Sequence, residues 1–289
     1  GLIGGRLTSA FGKENVVLID TDLEHVKAIR DNGLKILDKG QKNLRLENID
    51  VQITTPDLVD KSKIENAILA TKTYSNEQAL QGLDENIPML ILQNGYDKRV
   101  WRFKNATHGI EFGFACQVRE PGYIYNAVKG KYVFGDTHDI SPHTKTWGKI
   151  LNTAGIKTEI KKNIHGYMWS KLLINSTLNP ISAIYNYSFM ELIETSKSRQ
   201  MFKKLYLEGY PVVKRKADEL GQNLGSFIGP PNVVYKILKN KTVSDFLLKK
   251  VAQKFGAVES SMLQDMRKNR PTEIDAINGE IIRLGKEYV

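Results

Sequence analysis

Gly1-Leu2-Ile3-Gly4-Gly5-Arg6-Leu7 opens the chain, and after a helix-compatible stretch it runs into the apolar Val16-Val17-Leu18-Ile19-Asp20. This is the second half of a G-x-G-x-x-G turn, the element that joins a strand to a helix and receives a dinucleotide. In such a turn Gly1 lets the backbone approach the pyrophosphate and Gly4 lets the helix pack tightly on the sheet. The helix amino end, with its unpaired N–H groups, faces the anion. Gly1, Leu2, Ile3 and Gly4 are therefore the candidate cofactor contacts, and residues upstream of Gly1, including a first strand, are expected to exist. Asp20 closes the next strand, a few residues nearer to Gly4 than is usual. A carboxylate there accepts hydrogen bonds from the ribose hydroxyls and repels a 2′-phosphate, which favours NADH over NADPH. Taken singly the half motif is weak, because a glycine turn precedes many helices.

Outward from this turn, short apolar runs alternate with amphipathic stretches. Val16–Asp20, Ala67–Thr71 and Met89–Gln93 read as strands, and Leu23–Asn32 and Ser75–Leu83 as helices, the first ending at Gly33. That alternation predicts an α/β, Rossmann-type doubly wound sheet. Residues Ile110–Phe134 favour short strands punctuated by glycines, an expected antiparallel extension, and Ser141–Ala154 reads as a helix. After Lys162 helical patterns follow one another: Gly166–Tyr185, Ser196–Leu220, Asn232–Leu238, Val243–Lys254 and Thr272–Tyr288. The chain is thus expected to pair a dinucleotide-binding domain over 1–162 with an all-helical substrate domain over 163–289, and a cleft between two such domains is a common ligand location.

Composition narrows the classes further. The 289 residues are 41% hydrophobic and 26% charged, and no apolar run approaches the roughly 18 residues a membrane span needs, so no membrane partner is expected. One cysteine, Cys116, permits no intrachain disulfide, which fits a reducing compartment; the cytoplasm is the expected location. Cys116 itself reads as a buried, inert thiol in the strand-like Phe112–Val118. The formal charge of +10 would steer an anionic dinucleotide and a carboxylate substrate as readily as a nucleic acid. The densest basic run, Lys236–Lys241 with Lys249 and Lys250, alternates with apolar residues like a solvated helix face, and no nucleic-acid partner is expected. The spacing of His138 and His143 suits no metal site, and none is expected.

Chemistry concentrates in the second half. Lys171, Asn175 and Asn179 stand four apart and share a helical face among apolar neighbours, just before Pro180. A lysine and two amides on a buried stripe either meet a ligand or form an internal network. Pro180 removes the helical bond to the Ser176 carbonyl, so a kink turning Asn179 toward a cleft is expected. The tail holds Glu259-Ser260-Ser261-Met262-Leu263-Gln264-Asp265 and then Arg270-Pro271-Thr272-Glu273. Glu273 suits a first helical turn as well as catalysis. Gln93-Asn94-Gly95 reads as a turn at the carboxyl end of a sheet strand, where open sheets bind ligands.

The half fingerprint, Ala70-Thr71-Lys72, Leu92-Gln93-Asn94-Gly95, Trp169-Ser170-Lys171 through Asn175 and Asn179-Pro180, and Ser260–Asp265 with Glu273-Ile274-Asp275 together resemble the successive motifs of ketopantoate (2-dehydropantoate) reductases, in order over nearly the whole chain. The resemblance implies reduction of 2-dehydropantoate to pantoate, in pantothenate and coenzyme A biosynthesis, with a nicotinamide cofactor, NADPH by family default. It implies that Lys171 is the catalytic lysine and Glu273 its supporting acid, that Lys72 and Asn94 contact the cofactor, and that Asn94, Asn175, Asn179 and Ser261 bind substrate. On this reading Lys171 stabilises the developing alkoxide and delivers a proton, while Glu273 orients the lysine. Two positions depart from the pattern: Asp20 favours NADH, and Val258 stands where the family often carries asparagine, which puts one substrate hydrogen bond in doubt. A different 2-hydroxyacid or opine-type dehydrogenase is the alternative enzyme. A cofactor-sensing binding protein is the alternative of another class, and a homodimer is left open.

Overall fold

The computed structural model describes residues 1–39, 44–113, 115–128, 130–226, 229–255 and 258–288. Its contacts divide into two units: one of Gly1–Leu69, Glu77–Leu92 and Val100–Lys162, the other of Ala70–Asn76, Gln93–Arg99 and Asn163–Val289. The expected division into consecutive halves is thereby modified, because two short segments from the first half, carrying Lys72 and Asn94, belong with the helices.

The first unit is Rossmann-like. In chain order it holds α1 (Leu2–Phe11), β1 (Val17–Ile19), α2 (Leu23–Asn32), β2 (Leu34–Lys39), β3 (Leu44–Ile49), β4 (Gln52–Thr54), β5 (Ala67–Leu69), α3 (Asn76–Leu80), β6 (Met89–Ile91), β7 (Ala106–Phe112), β8 (Ala115–Glu120), β9 (Tyr123–Val128), β10 (Lys131–Gly135), α4 (Pro142–Thr153) and β11 (Thr158–Lys161). β1 pairs in parallel with β4, and a five-stranded sheet runs β11-β10-β7-β6-β5 with β5, β6 and β7 parallel. β6 is buried at every position, as a strand covered on both faces must be. Helix ends follow local chemistry: the Asp22 carboxylate accepts the His25 N–H at 3.1 Å to start α2, and Gly33 takes a left-handed φ of 76° to end it.

Four strands, β2, β3, β4 and β11, were not anticipated. In β2 the inward Leu34, Ile36 and Asp38 alternate with Lys35, Leu37 and Lys39, so a charge facing in and a leucine facing out disguise a period of two. Asp38 is buried because the Arg6 guanidinium and the Asn126 amide, at 2.8 Å, both donate to it. The expected antiparallel extension over Ile110–Phe134 divides between sheets. β7 and β10 pair antiparallel in the five-stranded sheet, while β8 and β9 join β2 and β3 in the order β3-β2-β9-β8. Cys116 on β8 is exposed, not buried, and Phe114 of the same run lies outside the described residues.

The second unit is helical: α5 (Ile164–Tyr185), α6 (Phe189–Glu194), α7 (Ser196–Glu219), α8 (Pro231–Lys239), α9 (Lys241–Phe255), α10 (Ser261–Arg267) and α11 (Glu280–Glu287). α5 is its axis, packing on α7 and α10, with Trp169, Leu173 and Ile181 in a core shared with Leu192 and Tyr206. The helix expected over Thr272–Tyr288 begins only after Glu273 and passes through a π-helical turn, Asp275–Gly279, before α11. The basic run lies on two helices, with Lys236, Lys239, Lys249 and Lys250 exposed. Among the described residues no helix is long and apolar enough to cross a membrane.

Candidate active site

In the first unit, Gly1 caps the amino end of α1 without a side-chain cap, and the first turn of α1 holds no acid. Its N–H groups are thus directed at whatever binds there, with no competing carboxylate of the helix's own. The glycines that follow are required by packing. A Cβ on Gly4 would lie 2.7 Å from Leu18 Cγ, and one on Gly5 would lie 2.8 Å from Leu34 Cδ2 and from Ile36 Cδ1. Side chains at either place would push α1 off the strands. Leu2 and Ile3 are the first residues of α1 and are half-buried. Asp20 directly follows β1; its N–H donates to the Thr54 carbonyl at 3.1 Å and its carboxylate accepts the Asp22 N–H at 3.0 Å. A helix start without acids and an acid just past a parallel strand suit a dinucleotide's phosphates and ribose.

In the second unit, three acid–base groups from distant parts of the chain converge. Lys72 Nζ stands 2.7 Å from Asp265 Oδ2 and 3.3 Å from Glu273 Oε2. The other oxygen of Glu273, Oε1, accepts the Thr73 N–H at 3.1 Å. Burial pushes the Glu273 carboxyl above its ordinary value, and Lys72 and the Thr73 N–H offset this only in part. For Lys72 burial works downward, but Glu273 and Asp265 outweigh it and hold the ammonium charged. Glu273, expected from sequence to orient Lys171, is thus engaged by Lys72, which had been expected on the cofactor side.

α5 carries the polar stripe as a buried feature. Lys171 is 6% exposed and Asn179 is 5% exposed, with Asn175 half-buried between them. The helix continues through Pro180 to Tyr185. Its continuity has a local reason: the Ser176 carbonyl, deprived of a backbone donor by Pro180, accepts Nδ2 of Asn278 at 2.9 Å. That amide belongs to the π-helical turn, so the turn is fastened to the same stretch of α5 that bears Asn175 and Asn179. Neither Asn278 nor Asp265 was assigned a role from sequence. A proline four residues after a buried carbonyl is the signal that a substitute donor is needed, but nothing in the sequence says which.

Asn94 lies on the 93–99 segment, and its Oδ1 is buried without a hydrogen-bond partner. A buried acceptor left unpaired is costly unless a ligand supplies the donor. Its surroundings are firmly built: Gln93 donates to the Thr71 carbonyl at 2.6 Å, its side chain meets that of Asn76, and Asn76 donates to Asp97 at 2.6 Å. Gly95 has φ of 80°, a Cβ there would lie 2.8 Å from the Ala276 carbonyl oxygen, and the Tyr96 N–H donates to that same oxygen at 2.8 Å. The Tyr96 ring stacks on Trp169 with centroids 4.7 Å apart. Of the serine pair, Ser260 caps α10, accepting the Leu263 N–H at 3.1 Å, and Ser261 is the first residue of that helix. Val258 is half-buried, and its carbonyl accepts the Phe189 N–H at 3.0 Å.

The family described as ketopantoate reductase PanE/ApbA matches residues 1–139, and its C-terminal domain matches residues 163–289. The chain is 31% identical over 296 residues to the 2-dehydropantoate 2-reductase of Pyrococcus abyssi, covering 99% of this chain and 87% of that protein. It is 28% identical over 312 residues to the enzyme of that name from Lactococcus lactis, covering 100% and 90%. Among solved structures, D-mandelate dehydrogenase with NADH and anilino(oxo)acetate superposes with a TM-score of 0.78 at 23% identity, covering 99% of this chain and 88% of that one. A PanE/ApbA family ketopantoate reductase from Ralstonia eutropha superposes with a TM-score of 0.76 at 22% identity, with the same coverage. The two structures bear on the fold, and the family matches go further: this chain belongs to the ketopantoate reductase family of NAD(P)-dependent oxidoreductases.

Proposed function

We propose that the chain reduces a 2-oxo acid to the 2-hydroxy acid, with 2-dehydropantoate as the substrate, the compound for which its curated relatives are named. The observation that carries this reading is the stripe on α5, where a lysine and an amide at 6% and 5% exposure sit on one face of a largely buried helix. Reduction of a ketone builds negative charge on its oxygen, and the Lys171 ammonium stabilises that charge and donates the proton. Asn175, Asn179 and Ser261 offer donors to the carboxylate and hydroxyl, and the unpaired Oδ1 of Asn94 offers an acceptor. The cofactor, when bound, supplies the hydride. Gly1, Leu2, Ile3 and Gly4 at the start of α1 receive its phosphates, and Asp20 the adenosine ribose; Asp20 selects NADH over NADPH. The test is turnover of 2-dehydropantoate and 2-oxoisovalerate with each cofactor. NADH oxidation driven by 2-dehydropantoate is expected, and no turnover of any 2-oxo acid would overturn the reading. Asp20→Ser should shift the kcat/KM ratio toward NADPH about tenfold; no shift would remove Asp20 from cofactor selection.

A second substrate reading has its own observation. Val258 offers only apolar contact where the family resemblance implies an asparagine, which is an argument against a hydroxylated substrate. A different 2-oxo acid, with an apolar group in place of that hydroxyl, is the second reading. Val258→Asn decides between them: it should raise kcat/KM on 2-dehydropantoate more than on 2-oxoisovalerate, and equal effects would exclude Val258 from specificity.

A further inference from the structure

Lys72 presents one ammonium to two carboxylates, and the closer is Asp265, at 2.7 Å against 3.3 Å for Glu273. We propose that Asp265 is a positioning residue: by drawing the Lys72 ammonium closer to itself it holds the Lys72–Glu273 ion pair at the longer distance of 3.3 Å and leaves Glu273 able to exchange a proton. The inference rests on the reading of the site as a 2-oxo acid reductase, because it assigns the freed carboxyl to the proton traffic around Lys171.

Three observations support it. The side chain of Glu273 is 4% exposed against 12% for Asp265, so desolvation falls hardest on the acid that receives the longer contact. Glu273 is also fixed independently of the lysine, since Thr73 N–H holds Oε1 at 3.1 Å. It therefore keeps its place whichever acid the ammonium favours. Finally, the charges do not balance within the group: two carboxylates share one ammonium, and burial raises the Glu273 carboxyl above its ordinary value. Among the described residues, the ionisable groups that interact with Glu273 include Lys72 and Tyr74 on the 70–76 segment and Asp265 on α10. Lys171 lies on α5, against which α10 and the π-helical turn both pack. Burial is the largest influence on Glu273 and raises it, Lys72 lowers it, and the Asp265 charge raises it again. Removing that charge therefore acts in one direction twice: repulsion disappears, and the ammonium moves wholly to Glu273.

The test is a carboxyl titration of the full-length chain by NMR with ¹³C-labelled glutamate, the Glu273 resonance being assigned by its loss in Glu273→Gln. Asp265→Asn should lower the Glu273 midpoint by about one pH unit, whereas Asp265→Glu, which keeps the charge, should leave it within a few tenths. Asp265→Ser provides the same loss of charge should the asparagine variant fold poorly. In a Lys72→Met background the shift caused by Asp265→Asn should shrink to less than about half, because the ammonium that transmits it is gone. An unchanged midpoint in Asp265→Asn, or an undiminished shift in the Lys72→Met background, overturns the proposal. The titration needs no substrate. Absence of 2-oxo acid turnover in the wild type alongside the expected titration would thus defeat the functional reading while the Lys72–Asp265–Glu273 relation stands.

Discussion

α1 and α5 are both helices at which this protein is read to bind its reactants, and they are made in opposite ways. At α1 the proposed function depends on side chains that are missing: Gly4 and Gly5 leave room for Leu18, Leu34 and Ile36, and Gly1 leaves the helix start uncapped. At α5 it depends on polar side chains kept inside a core, with Lys171 and Asn179 nearly as buried as Trp169 and Leu173. The first arrangement stabilises the fold while it makes a site, because close packing gains dispersion contacts. The second burdens the fold, because amides and an ammonium lose water. A helix that tolerates such a burden needs support from outside itself, and the Asn278 amide on the Ser176 carbonyl is one such support.

If this contrast is correct, the two helices should fail differently. Lys171→Ala should lower kcat at least about 100-fold, with cofactor affinity by fluorescence titration and thermal midpoint both close to wild type. Normal turnover with a lowered midpoint would instead make the stripe on α5 structural. Gly4→Ala should do the reverse: its new Cβ must displace Leu18, which should cost about 1–3 kcal/mol in urea unfolding while leaving kcat at saturating cofactor within a few-fold. Unaltered stability would mean that α1 does not need the close approach. The smallest effect is expected at the support. Asn278→Ala leaves the Ser176 carbonyl unpaired and should cost about 1–2 kcal/mol, most of it recovered in a Pro180→Ala background where a backbone N–H returns. Equal costs in the two backgrounds would show that Asn278 stabilises by some other route.

Sequence reasoning reached the two helices unequally. The glycine turn, β1 and Asp20 lie within twenty residues of one another, so local spacing was enough to place them, and the helix over Leu23–Asn32 came out with its observed bounds. The stripe on α5 was equally visible, because i, i+4 spacing is also local. What escaped was whatever depends on distant partners. Glu273 read equally well as a helix-start acid, and only the fold brings Lys72 to it and to Asp265. Asp265 lay inside a quoted motif but had no local reason to be singled out. The π-helical turn was read as ordinary helix because its sequence, Asp275–Gly279, carries no proline and only one terminal glycine. β2 and β3 escaped because a strand edged with lysine, arginine and glutamate resembles a surface loop until its partners are known.

The Lys72–Asp265 bond joins residues 193 positions apart, and the Lys72–Glu273 bond joins residues 201 apart. On a ribosome, which extends a chain at roughly 5–20 residues per second, Lys72 emerges at least about ten seconds before either acid exists. For that interval its segment has only local contacts to hold it, and the Gln93–Thr71–Asn76 network, all within residues 71–93, is among those that can form early. The acid–base cluster is then among the last tertiary features to close, just before the Asn278 amide becomes available to α5. A chain halted before Asp265 would carry the lysine that the cluster needs, yet keep it without either counter-charge.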